Sequence, residues 1–217
     1  MGFAVSVPGR PGVKPCEDAS GAHLQGDAIC VADGLGSAAR AAEASVQAVA
    51  MVLEDLRPML QAGVSTSEVQ RLIHTLWTER TGDDVELSTT CLFAVRTPTH
   101  MVLGQLGDGL VLALNGRDVS RLEDEENWGD QTECLPGGTL RCAIAPLDTT
   151  VFLATDGVAD DLVPERRAEL AGHLAELLRS EGPDRTREEV QRWLTDWETP
   201  RSNDDRSIAL LLPPETP

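Results

Sequence analysis

Apolar positions along the chain follow two rhythms. Ala42, Val46, Val49, Leu53 and Leu56 recur at helical spacing, which predicts a helix from about Ser37 to Leu56, with Pro58 just beyond its end. A second helix is predicted in "STSEVQRLIHTLW". There Ser65 and Glu68 form a capping-box pattern, Val69, Leu72, Ile73 and Leu76 share one face, and Gly82 closes the helix. The rhythm then changes to short, continuous apolar runs. "STTCLFAVR", "HMVLGQL" and "LVLAL" read as strands separated by Pro98 and a Gly-Asp-Gly turn, and "GRDVSRL" reads as a hairpin turn into another strand.

Residues 123–138 are polar and turn-rich, and read as a loop or mobile excursion. Strands "TLRCAIA" and "TVFLAT" follow. One further helix is predicted from Pro164, with Leu170, Leu174 and Leu177 on its inner face. Another is predicted from Thr186, with Glu189 completing a capping box and Val190, Trp193, Leu194 and Trp197 facing inward. Asp161 and Asp184 suit helix N-caps. "MGFAVS" reads as the start of a strand, Ile29 to Ala32 as another, and "SIALLL" as the last. Several strands are apolar on both faces, so both must be covered. The order of elements (strand, two helices, a block of strands, two helices, strand) predicts β-structure with helices outside it, in an α+β domain spanning residues 1–217.

Charge narrows the choice of partners. Acidic residues outnumber basic ones by 36 to 18, a net charge of −18 that disfavours nucleic acid and anionic membranes. No run reaches the ~18 apolar residues a membrane helix needs. The acidic excess is either a hydrated surface or a set of carboxylates gathered around divalent cations, and composition does not separate the two. Five cysteines without a Cys-x-x-Cys pair argue against zinc and against a disulfide framework, Cys30 and Cys91 read as buried apolar residues, and the cytoplasm is the default compartment. The four histidines lie on predicted helices or at rim positions without catalytic context.

The candidate chemistry sits where apolar strands stop. "ICVADGLG", "LGQLGDGL" and "VFLATDGVAD" each end in an aspartate beside glycine, Asp204 and Asp205 precede the last strand, and Glu17 and Asp18 stand in "KPCEDASG". Aspartates at strand ends suit Mg²⁺ or Mn²⁺, which take oxygen ligands, because a rigid sheet fixes their backbones.

This ordered set resembles the protein phosphatase 2C family of metal-dependent serine/threonine phosphatases, with "VADGLGSA" and "LATDGVAD" the most specific pieces. The resemblance implies a four-layer αββα sandwich, two central, mainly antiparallel β-sheets flanked by helices. It implies that Asp33 bridges two Mn²⁺ or Mg²⁺ ions, with the Gly34 carbonyl on the second, and that Asp156 and Asp204 hold the first. It sets Glu17 and Asp18 by the second ion, directly or through its waters, and gives Asp108, with Asp156, a weaker third. Asp18, Asp33 and Asp156 would then be the catalytic residues. The implied reaction is in-line attack on phosphorus by an ionised water, with no protein nucleophile.

Departures from the family pattern are equally specific. The arginine that grips phosphate in many members is Val13 here, leaving Arg10 and Lys14 as substitutes, and Leu35 stands where some members have histidine. Gly109 and Leu110 replace the usual Ser-Arg after Asp108, and "WGDQTECL" is similar to a stretch in compact bacterial members. The expected partner is a phosphorylated protein, a Ser/Thr kinase or its target, acted on by a monomer. The alternative is a pseudophosphatase that binds such proteins without turning them over.

Overall fold

The computed structural model describes residues 1–9, 12, 14–82, 84–116, 118–122, 132–197 and 203–214. Among these residues ten strands form two five-stranded sheets, antiparallel throughout. One is ordered β1 (Gly2–Val7), β10 (Arg206–Leu211), β9 (Thr150–Ala154), β6 (Leu110–Asn115), β7 (Asp118–Arg121). The other is ordered β2 (Asp18–Ala22), β3 (Ala28–Asp33), β4 (Cys91–Arg96), β5 (Met101–Leu106), β8 (Arg141–Ala145). Ile29, Val31, Leu92, Leu103, Val111, Leu153 and Ala209 fill the space between the sheets.

Helices α1 (Ala41–Ala50) and α3 (Val69–Thr81) cover the outer face of the second sheet, burying Ala44, Ala48, Ile73 and Trp77 against Cys30, Cys91 and Phe93. Helix α5 (Arg167–Thr195) covers the first sheet, placing Leu174, Leu178, Val190 and Leu194 on Phe3, Phe152 and Leu210. The layers are therefore α, β, β, α. Strands β3, β4, β5, β9 and β10, the long apolar runs, are the ones covered on both sides. Among the described residues no helix is long and apolar enough to cross a membrane.

The helices differ from their predicted outlines in physically informative ways. Pro58 does not end the first helix: α1 passes through a π-helical stretch, Met51–Leu56, into α2 (Arg57–Gln61). In π-helical pairing the Leu53 carbonyl would accept from residue 58, which as proline has no N–H, and the Arg57 side chain takes that carbonyl instead at 3.0 Å. Ser65 does cap its helix, accepting from the Ser67 N–H, but Glu68 turns outward to Arg71, leaving the capping box half-made.

In the C-terminal helix the break falls at Gly182 (φ 78°) with Pro183 following, so Thr186 lies inside the helix, fully buried, with its hydroxyl on the Gly182 carbonyl at 2.7 Å. The predicted start at Thr186 is therefore four residues late, because glycine in the left-handed region and proline in the first turn set the boundary. The inner stripe uses Leu178 rather than the half-buried Leu177. Neither Asp161 nor Asp184 is an N-cap. Val163 occupies that position before the Pro164 turn, and Asp184 pairs with Arg187.

Candidate active site

Five aspartates come to one end of the sandwich through different elements. Asp18 opens β2 and Asp33 closes β3, and in that hairpin they are directly opposite each other. Asp156 opens the short helix α4 (Asp156–Ala159) where β9 ends, and Asp204 precedes β10, the neighbour of β9. Asp108 sits in the turn from β5 to β6, so it lies where the chain crosses between sheets. Gly107 and Gly109 flank it with φ of 94° and 102°, which explains glycine where the family has serine.

The two sheets are stitched together at this end by hydrogen bonds. The Thr155 hydroxyl donates to Asp18 Oδ2 at 2.7 Å and accepts from the Ser207 N–H at 2.9 Å. Both carboxylate oxygens of buried Asp205 accept backbone N–H groups, Oδ1 from Gly9 at 2.8 Å and Oδ2 from Glu17 at 2.6 Å. Thr155 and Asp205 support the site. Asp205 is one of the two aspartates that the sequence marks ahead of the last strand, whereas the only signal for Thr155 is adjacency to Asp156.

The two Asp-Gly pairs share a physical reason for glycine. A Cβ on Gly34 would lie 2.1 Å from the Ala41 carbonyl oxygen, and one on Gly157 would lie 2.0 Å from that of Asp205. Backbone from another element occupies the space a side chain would need, so each glycine lets its aspartate's strand end press against a neighbour. Gly34→Ala is expected to destabilise the fold by about 2 kcal/mol or more, the overpacking cost when only backbone can yield. Urea denaturation checks it, and an unchanged midpoint would contradict the packing argument.

At this rim burial and, after it, like charge raise the carboxyl groups. Burial pushes the Asp33 carboxyl up to about 10, with the charges of Asp18, Asp156 and Asp204 adding to it. Burial raises Asp18 to about 7, opposed by the Thr155 and Ser207 hydrogen bonds and reinforced by Asp205. Asp156 is raised to about 6 by burial and by the charges of Asp108 and Asp204. The Cys16 thiol, which contacts the Asp18 carbonyl, is pushed up to about 12 by burial and by Asp205 and Asp18, a poor setting for a thiolate nucleophile.

The other predicted positions are placed as follows. Glu17 lies beside the cluster with Oε2 2.7 Å from Lys14 Nζ, and that bond holds the ammonium above its ordinary range. Arg10 and Val13 lie outside the described residues, as does most of the acidic loop, but the loop's returning end reaches the site: the Thr132 hydroxyl donates to Asp108 Oδ2 at 3.0 Å. His23 is remote, bonded to Asp27 in the β2–β3 turn.

The donor set suits a hard divalent cation. All its ligand atoms are oxygens, and the neighbours that most raise Asp33 are themselves carboxylates, so the ionised cluster calls for positive charge. Among the described residues, no three His, Cys, Asp or Glu side chains are gathered closely enough to enclose an ion as they stand.

Comparison with known proteins bears on the family and the fold. The profile of the protein phosphatase 2C family matches residues 12–197. The fold is shared with the Mycobacterium tuberculosis serine/threonine phosphatase PstP/Ppp (16% identity, TM-score 0.64, 99% of both chains). It is shared with a structure of the PstP catalytic domain in complex with two manganese ions (15%, 0.65, 98% of this chain and 97% of that one). Staphylococcus aureus Stp1 is similar too (14%, 0.66, 99% and 95%). No curated protein sequence matches the chain.

Proposed function

Because the chain belongs to the protein phosphatase 2C family, we propose that it is a Mn²⁺- or Mg²⁺-dependent phosphoprotein phosphatase acting on phosphoserine and phosphothreonine. The observation that carries this reading is Asp33: its carboxyl meets the charges of Asp18 from its own sheet and of Asp156 and Asp204 from the other. In this reading Asp33, Asp156 and Asp204 would hold one ion. Asp33, the Gly34 carbonyl, Glu17 and Asp18 serve a second, and Asp108 with Asp156 serves a weaker third.

Divalent cations bound there would acidify water near neutral pH and neutralise a phosphoryl group. The chain's own residues supply position and selectivity. Thr155 holds Asp18 in one orientation, and Asp205 pins the backbone entering β2, so the carboxylates are fixed before substrate arrives. In this reading Lys14, which is bonded to Glu17 at the rim, would meet a phosphate oxygen, with Arg10 as the other cation for that role. The substrate would be a phosphorylated protein, a Ser/Thr kinase or its target, and the protein a cytoplasmic monomer.

The test is release of phosphate from p-nitrophenyl phosphate and from a phosphothreonine peptide in Mn²⁺, Mg²⁺ and EDTA. Turnover with either metal and none in EDTA is the expected result. Calorimetric Mn²⁺ binding without turnover would replace the enzyme by a pseudophosphatase, a reading motivated by Val13 in place of the phosphate-gripping arginine and by Gly109-Leu110 in place of Ser-Arg.

A further inference from the structure

Among the described residues, most hydrogen-bonded arginines of this acidic chain are tied to carboxylates, as Arg40, Arg80 and Arg166 are. Arg121 and Arg167 instead lie on the same side of the first sheet, near enough for the charge of one to act on the other. Arg121 ends β7 directly opposite Leu112, whose side chain packs on the α5 side of its sheet, so Arg121 shares that side. Arg167 opens α5 and donates through one terminal nitrogen to the Ala159 carbonyl at 3.1 Å, while its Nε–H is buried without an acceptor. Burial and then the Arg121 charge hold the Arg167 guanidinium below its ordinary range, with Asp160 and Glu165 opposing. Neither arginine forms an ion pair among the described residues.

The pair also stands beside the carboxylate cluster. Ala159, to which Arg167 is fastened, closes the helix that Asp156 opens, roughly one turn or ~5 Å away. Asp160, the next residue, acts electrostatically on both Asp156 and Arg167. Two guanidinium groups on one side of the sheet, within electrostatic reach of each other and beside an anionic site, can share one bidentate anion.

We propose that Arg121 and Arg167 form a clamp that selects phosphopeptides carrying a second anionic side chain near the phosphorylated residue. An extended peptide advances ~3.3 Å per residue, which puts that side chain two or three residues away. A carboxylate or a second phosphate presents the same acceptors. The proposal rests on the phosphatase reading above and adds a specificity determinant to it.

The experiment measures kcat/KM with Mn²⁺ for phosphothreonine peptides bearing Gln, Glu or phosphoserine two or three residues to either side. The unaltered protein is expected to prefer an anionic peptide over its Gln counterpart by about tenfold. A preference for Glu peptides identifies the carboxylate as the natural anion, and one for phosphoserine alone identifies the phosphate. In Arg121→Gln and in Arg167→Gln the ratio should fall towards one, and in Arg121→Glu a Lys peptide should become the better substrate. The ratio is the readout because a general loss of activity would leave it at tenfold. No preference in the unaltered protein, or a preference that survives both substitutions, overturns the clamp. If no phosphoester is hydrolysed, the phosphatase reading fails separately, and the clamp is judged by fluorescence anisotropy of the same peptides. Loss of a Glu-over-Gln binding preference in Arg121→Gln supports it, and equal binding of both peptides overturns it.

Discussion

Asp33→Asn is expected to abolish metal-dependent hydrolysis, by a thousandfold or more, while raising the melting temperature of the metal-free protein. The two effects have one origin. Asp33 carries the carboxyl most strongly raised in the cluster by burial and by Asp18, Asp156 and Asp204. An amide keeps its shape, removes a charge that its surroundings oppose, and loses the anionic bridge a divalent cation needs. The backbone bonds at this position, from Thr90 N–H and the Thr89 hydroxyl to the Asp33 carbonyl and from Asp33 N–H to the Thr90 hydroxyl, do not involve the carboxyl and survive the change. For a chain of this size each 1 kcal/mol gained moves the melting temperature by ~2–4 °C. Thermal melts in EDTA and phosphate release in Mn²⁺ test both halves. Full activity of the variant would overturn the site assignment, and a lower melting temperature in EDTA would overturn the electrostatic account.

In EDTA, stability should fall as pH rises from 5 to 8, and Mn²⁺ should restore more of it at pH 8 than at pH 5. The sign follows from proton linkage. Asp156, Asp18 and Asp33 have folded values raised to about 6, 7 and 10 from an ordinary 3.8, so the folded state binds protons that the unfolded state releases. Their contribution is complete below the unfolded value and is lost as pH climbs through the folded ones. Asp27 acts in another window. Burial would raise it, but hydrogen bonds from Gln61 and His23 and the Arg57 charge outweigh that and hold it below the ordinary range, so its contribution is lost only in acid. Mn²⁺ that binds the folded state alone adds stability by mass action, ~2.7 kcal/mol at a hundred times its dissociation constant, and competes with protons for the same oxygens. A melting temperature that stays flat or rises between pH 5 and 8 in EDTA, or an Mn²⁺ increment independent of pH, would refute this coupling.

Local pattern was a sound guide wherever a segment's own chemistry decided its state. Runs such as Val151–Ala154 and Cys91–Val95 had to be covered on both faces, and they are. Helix α3 runs from its Ser65 cap to Gly82 because cap, apolar face and terminator all agree. By contrast β2, Asp-Ala-Ser-Gly-Ala, contains no β-branched or aromatic residue, and it is a strand because β3 pairs with it along its whole length. Its small residues answer to a distant helix: a Cβ on Gly21 would lie 2.6 Å from Val49 of α1.

The same division runs through the candidate site. By itself the sequence determined that acidic turns end apolar strands, because side-chain pattern and glycine punctuation are local properties. It also determined the αββα layering that follows from the family resemblance. Only the tertiary structure decided that Asp18 stands across from Asp33 and that Asp205 reaches Gly9 and Glu17 from the far end of the chain. Those contacts join residues up to 196 positions apart. They depend on strand order and register, which are fixed by how two sheets and their helices pack together rather than by any single segment.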